Sequence, residues 1–247
     1  MIKIFISTCD SHDIMLKPFM FLFNKFWGKD QEVTILGYEK PKFNLEDNFN
    51  FVSMGKSRKT STEWSTGLRE YFETIEDEHF IWALEDLFIL KPVRFDILNK
   101  LFQHAQKKKI GRTSLTCGVQ FKDHDILETF NDFNIIEQRR DTSYRISVIW
   151  SIWNREYLLR YLDPEISPWQ MEVDGSEKAK NDGYRVIGTS ENHAIDFAGA
   201  CQPRHGGTPT GPLDFRVIDK PHLSLDNDII QEMINNKIIT PDGRVFL

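Results

Sequence analysis

The chain has 247 residues and a formal net charge of −6, long enough for one large α/β domain with a substantial core. The acidic balance gives no support to a generally basic surface, so nucleic acid is disfavoured as a partner. Three cysteines, Cys9, Cys117 and Cys201, form no CxxC pair, which argues against a disulfide framework and fits a reducing, cytoplasmic setting.

Ile2 to Ser7 reads as a buried first strand that stops in the polar turn Thr8-Cys9-Asp10-Ser11. The apolar start is too short for a signal peptide, and no stretch has the roughly 18 uninterrupted apolar residues of a membrane span. In doubly wound sheets the first βα turn usually meets a ligand. A helix is expected from about Asp13 to Trp27, with Leu16, Phe19, Phe23 and Phe26 or Trp27 on its apolar face and Gly28 as its C-cap. Val33 to Gly37 and Phe51 to Met54 read as strands. Thr60 to Glu63 has capping-box spacing and opens a helix with Trp64, Leu68, Phe72 and Ile75 on one stripe.

Asp77 to Lys91 is the stretch around which the rest is arranged. Phe80 to Leu84 has the composition of a central buried strand, and it meets two adjacent carboxylates, Glu85 and Asp86. Burying charge without a partner is costly, so this pair calls for a metal, a cation or a polar ligand, or else marks where the strand reaches solvent. A helix follows from about Phe95 to Gln106, with Phe95, Leu98, Leu101, Phe102 and Ala105 inward. Lys107, Lys108 and Lys109 close it at the negative end of its dipole. Ile110 to Phe121 reads as strand, Asp125 to Phe130 as a short helix, and Ile135 to Arg139 and Tyr144 to Trp150 as paired strands. Asn154 suits a cap for a helix through Leu162. Ser167-Pro168 opens another helix, with proline at its first position and Glu172 one turn in. Strand residues Tyr184 to Gly188, and Ala194 to Phe197, precede a glycine- and proline-rich loop from Cys201 to Pro212. A short helix near Asp226 to Asn236 ends the pattern.

Four stretches in this order resemble the nucleotide-sugar-dependent glycosyltransferases of the GT-A fold, in their small bacterial and phage-type form. They are Ser7-Thr8-Cys9-Asp10; Trp64-Ser65 before the central strand; Ala83-Leu84-Glu85-Asp86-Leu87-Phe88; and Ile149 to Leu159 followed by Pro168-Trp169-Gln170-Met171-Glu172. The resemblance covers roughly residues 1–188. It implies a single α/β GT-A-like domain over 1–247, with a Rossmann-like nucleotide-sugar-binding half to about residue 90 and a mixed central sheet. An acceptor half would span about 91–200, and a C-terminal loop and tail 201–247.

The same resemblance implies roles. Thr8 and Asp10 would grip the nucleoside, although Asp10 also suits a helix cap; Trp64 and Ser65 would lie near the nucleotide, although Trp64 also suits the core. Asp86 and Glu85 would hold Mn²⁺ or Mg²⁺, which take oxygen ligands and bridge phosphates. Glu85-Asp86 departs from the family's Asp-x-Asp, which leaves metal dependence open. Arg204 and His205, in the glycine loop, would neutralise the leaving diphosphate, and His205 would complete a metal site. Glu172 would be the general base of an inverting transfer, with Asp174 as the alternative; Trp150, Trp153 and Trp169 would form the acceptor pocket. The donor would be a UDP-sugar, and the acceptor a glycan or other hydroxyl, reached at a membrane surface where it is lipid-linked. Two other readings compete: a nucleotidyltransferase, and a non-catalytic carbohydrate- or nucleotide-binding protein.

Overall fold

The structure is a computed structural model that describes residues 2–55, 64–116, 123–199, 225–241 and 245. In chain order the elements are β1 (Ile4–Ser7), a 3₁₀ turn (Asp13–Met15), α1 (Leu16–Phe26), β2 (Val33–Gly37), β3 (Phe49–Ser53) and α2 (Trp64–Thr74). Then come β4 (His79–Leu84), β5 (Leu87–Ile89), α3 (Phe95–Ala105), β6 (Ile110–Ser114), β7 (His124–Thr129) and β8 (Asn134–Gln138). The last are β9 (Ser151–Asn154), α4 (Arg155–Leu159), α5 (Pro168–Ala179), β10 (Arg185–Ser190), β11 (Phe197–Gly199) and α6 (Asn227–Asn235).

Among the described residues, nine strands form one sheet in the order β3-β2-β1-β4-β9-β6-β10-β8-β7, and β5 pairs with β11 in a small second sheet. This is the α/β class expected from the sequence: a Rossmann-like N-terminal half joined to a mixed sheet. β1 to β4 run parallel, and β9 runs against both β4 and β6. The first strand of the antiparallel part therefore starts where β4 ends, with Ser151 opposite Trp82. Among the described residues no helix is long and apolar enough to cross a membrane.

The central strands are apolar on both faces because both faces are covered. Ile4, Ile6, Ile81 and Ala83 pack with Phe19, Phe23 and Leu101 on one side. Phe5, Phe80 and Trp82 pack with Leu68, Phe72, Trp153 and Met171 on the other. The period-2 switch of side is what sorts these residues. Gly28 takes φ +114° and closes α1, as the pattern predicts. Phe95 departs from the pattern: it opens α3 exposed, with its ring in a T-shaped contact with Trp27 at 5.9 Å between centroids.

Two expected elements are corrected, and a third is shifted: the strand expected at Ala194 to Phe197 is β11, which starts only at Phe197. Asp125 to Phe130 is not a helix: His124–Thr129 is the edge strand β7, paired antiparallel with β8, with a register shift between Ile126 and Glu128. Tyr144 to Trp150 is not a strand and does not pair with β8, whose neighbours are β7 and β10. Tyr144 sits at φ +55°, which breaks an extended run. The N–H of Ile146 donates to Ser176 Oγ and that of Val148 to Glu172 Oε1, so these groups serve α5 instead of a ladder. Arg145, fully buried, donates to the carbonyls of Gln138, Arg139 and Tyr184 and holds the irregular segment down. The capping box expected at Thr60 to Glu63 lies outside the described residues. Ser167 and Gln170 form one at the start of α5.

Gly111 in β6 has room only for hydrogen. A Cβ there would lie 2.4 Å from Cγ of Tyr157, whose ring is fully buried beside Trp153, Tyr161 and Tyr184. Gly111→Ala is expected to lower stability by about 1–3 kcal/mol through overpacking. A denaturant midpoint shifted down at unchanged slope would report this.

Candidate functional site

The sheet reverses direction of growth between β1 and β4: β2 and β3 extend to one side of β1, and β4 lies on the other. In open α/β sheets ligands bind beyond the carboxyl ends of the strands at such a switch point. The turn after β1 and the residues after β4 meet there. Glu85 N donates to Ser7 O at 3.3 Å, and Trp82 Nε1 donates to Ser7 Oγ at 3.1 Å, so the two strand ends are tied together.

The turn itself is compact. His12 N donates to Cys9 O at 2.8 Å, which folds residues 9 and 12 together. Thr8 is buried and its hydroxyl donates to Cys9 O at 3.3 Å. Asp10 does not cap the following helix. Its Oδ1 accepts from Glu39 N at 3.0 Å and joins this turn to the segment after β2. Between these two segments lies a cleft of about 450 Å³, lined by Asp10, Lys17, Glu39, Lys40, Lys42 and Phe43 among others. That volume is in the range of small-molecule sites.

Glu85 is 4% exposed, and its Oε1 lies 3.0 Å from His12 Nδ1. Contact with Cys9, and then with Glu85, raises His12 to about 10 despite its burial. The ligand atoms of Cys9, His12 and Glu85 all lie within 4.8 Å of one another. Asp86 follows with its Oδ1 buried and without a hydrogen-bond partner. Burial, reinforced by the charge of Glu85, pushes its carboxyl up to about 7, while His12 acts in the opposite sense. An orphaned carboxylate oxygen beside a buried Glu and a His fits a site for a divalent cation.

The second part of the site belongs to α5. Glu172 Oε1 accepts from Ser147 Oγ at 2.8 Å and from Val148 N at 2.9 Å. The fully buried Arg112 is in its electrostatic range, and burial lowers that guanidinium to about 10. Residues 147–150 lead into β9, so they sit at the same edge of the sheet as Glu85. Trp150 Nε1 donates to Leu87 O at 2.8 Å, which links the segment holding Glu172 to the one leaving Asp86. Trp169, one turn before Glu172, is 64% exposed and meets Tyr144 edge to face at 6.3 Å.

Several expected site residues are placed elsewhere. Trp150 and Trp153 are fully buried and pack in the core, Trp150 against Phe19 and Trp153 under the Arg112 guanidinium, so neither lines an acceptor pocket. Ser65 is also fully buried. Its Oγ donates to Asp163 O at 2.6 Å and accepts from Ile166 N at 3.0 Å, which leaves it a structural pin and not a nucleotide contact. Trp64 is half-buried and stacks on Trp82 at 5.8 Å. Asp174 is exposed two residues beyond Glu172, a spacing that puts them on different sides of the helix, so it does not substitute for it. Arg204 and His205 lie outside the described residues. His12, Cys9, Ser147 and Arg112 were not singled out from the sequence. The polar turn read from the sequence takes in Cys9 but stops short of His12, and only the β1–β4 ladder brings the two to Glu85.

A neutral Asp86 is expected to leave a signature in stability. Its carboxyl titrates near 7 in the folded chain against an ordinary 3.8, so the stability it lends is full below the lower value and is lost as pH rises through the upper one. In chelator, wild type is expected to lose stability relative to Asp86→Asn across that window, as urea unfolding at a series of pH values would show.

No protein-family model matches the chain, and a search of curated proteins finds no match. Solved structures similar to it include a mannosyltransferase from Pyrobaculum calidifontis in complex with GDP-Man and Mn²⁺, at 11% identity and a TM-score of 0.49. That match covers 83% of this chain and 57% of the mannosyltransferase, so the chain spans little more than half of that protein's length. A UDP-glucose pyrophosphorylase complexed with UDP-glucose matches at 12% identity and 0.47, over 80% of this chain and 93% of that one. A CMP:2-keto-3-deoxy-manno-octonic acid synthetase complexed with CTP matches at 14% and 0.40, over 75% and 88%. Identities this low assign no activity to the chain.

Proposed function

We propose that the chain transfers a sugar from a nucleotide-diphosphate donor, a UDP-sugar by preference, to a hydroxyl on a glycan or other acceptor. The observation that carries this reading is the pairing of Glu172 with Trp169 on one face of α5, at the sheet edge that also holds Glu85 and Asp86. A carboxylate fixed by two hydrogen bonds beside an exposed aromatic ring is the equipment of a sugar acceptor subsite. A carboxylate pair with an orphaned oxygen, at the switch point, is the equipment of a diphosphate subsite.

In this reading the cleft after β1 and β2 takes the nucleoside, with Asp10 shaping its wall and Lys17, Lys40 and Lys42 supplying positive charge. Residues to about 90 form the donor half and residues from about 91 to 200 the acceptor half. A divalent cation held by Asp86 and Glu85 would neutralise the diphosphate. The acceptor stacks on Trp169. Its hydroxyl proton passes to the Glu172 carboxylate as the oxygen attacks the anomeric carbon, and the bond from that carbon to the phosphate oxygen breaks with its electron pair leaving on the diphosphate. Attack opposite the leaving group inverts the anomeric centre. Transfer of a nucleotidyl group is the competing reading: the turn Thr8-Cys9-Asp10-Ser11 carries no glycine, but His12 and the cleft lysines would also serve a triphosphate.

Glu172→Gln is expected to lower turnover by roughly 100- to 10,000-fold, the usual contribution of a general base, with donor affinity retained. Trp169→Ala is expected to raise the acceptor KM and leave donor affinity alone. UDP release from a panel of UDP-sugars and acceptor glycans measures both. Pyrophosphate release from a nucleoside triphosphate and a sugar phosphate, with no UDP release from any donor, would replace this reading with nucleotidyl transfer.

A further inference from the structure

We propose that Cys9 Sγ, His12 Nδ1 and Glu85 Oε1 form a three-ligand site for a zinc-class divalent ion, with a fourth position open to a phosphate oxygen. This rests on the reading above for the phosphate, and for the cation it keeps Glu85 but puts Cys9 and His12 in the place given there to Asp86; the ligand set stands on geometry.

The three donors come together by construction. Cys9 and His12 are three residues apart in a turn closed by the His12 N to Cys9 O bond. Glu85 is delivered by the β1–β4 ladder, with its main chain fastened to Ser7 O. Around a tetrahedral zinc ion, ligand atoms at ordinary bond lengths lie roughly 3–4 Å apart. Here Nδ1 and Oε1 are 3.0 Å apart, and all three donors lie within 4.8 Å of one another. Small side-chain rotations suffice to close them on an ion.

The chemistry of the donors selects the ion. Mn²⁺ and Mg²⁺ prefer oxygen ligands, whereas a thiolate and an imidazole favour zinc and its neighbours. A second observation points to a cation at this place. Asp86, in electrostatic contact with both His12 and Glu85, keeps a buried Oδ1 without a partner. Two adjacent carboxyls and a thiol face a single imidazole here, so added positive charge is what the cluster lacks. Exposure sets the open position. Glu85 is buried, while Cys9 and His12 are part-exposed, so the cluster is closed on the Glu85 side and reaches the surface through Cys9 and His12. Three protein ligands with an open fourth place is the arrangement of reactive zinc centres, not structural ones.

The test uses the purified full chain, stripped with chelator and titrated with Co²⁺ and then Zn²⁺ in the absence of nucleotide. The expected result is a thiolate-to-cobalt charge-transfer band with intense tetrahedral d–d bands, both erased by Zn²⁺. Cys9→Ser should abolish the charge-transfer band without lowering the melting temperature of the metal-free protein. His12→Gln and Glu85→Gln should weaken Zn²⁺ at least about tenfold, since even outer-shell partners of a metal cost that much. Equal Zn²⁺ affinity in wild type and Cys9→Ser overturns the proposal. So does Mn²⁺ binding that ignores Cys9→Ser but fails in Asp86→Asn, which would mark an all-oxygen site. Nucleotide-sugar binding that persists while the cobalt signature is absent removes this site and leaves the transferase reading standing. A thiolate–cobalt signature with no response to any nucleotide keeps the site and removes that reading.

Discussion

Glu85 loses nearly all its hydration where β4 ends, and a desolvated carboxylate persists only if something nearby restores favourable charge. His12 does this across the β1–β4 boundary, 3.0 Å away. The contact requires the parallel register that sets Ser7 beside Leu84, and the tight turn that brings residue 12 back over residue 9. The rest of the edge is arranged around it. The turn meets the segment after β2 through Asp10, and the segment leaving Asp86 meets the start of β9 through Trp150.

A second buried charge system fixes the other half. Arg112 donates to Ser151 Oγ and to Arg145 O, and Arg145 donates in turn to three further carbonyls. Carbonyl oxygens that a ladder would have satisfied are satisfied by guanidinium groups instead. The segment before β9 can then stay irregular inside the core and present Ser147 Oγ and Val148 N–H to Glu172. The orientation of Glu172 therefore depends on residues in β6 and beyond it, not on α5 alone.

The legibility of the sequence follows from this. β1, α1, β2, α2, β4 and α3 were readable because burial on both sheet faces and on one helix face gives period-2 and period-3.6 patterns. Asn154 and Ser167-Pro168 were readable because caps are local chemistry. Tyr144 to Trp150 was misread because its alternation is that of an exposed strand, while Arg145 points inward to the carbonyls of Gln138 and Arg139 and, far along the chain, of Tyr184. Glu85-Asp86 was legible as a charge problem, but its partners were not, since residue 12 lies 73 positions away. Trp150 and Trp153 were misassigned because a tryptophan in a sugar subsite and one in a core have the same local sequence.

The outer strand β7 has a bearing on how the protein behaves at high concentration. It ends the sheet with Ile126 and Leu127 exposed, the kind of rim that recruits strands from other molecules. Asp125 and Glu128 flank that pair with negative charge, and the shifted register between Ile126 and Glu128 spoils a straight hydrogen-bonding row. A second molecule arriving in register would meet like charges and a kinked backbone. The shifted register and the flanking charges thus disfavour self-association along the rim.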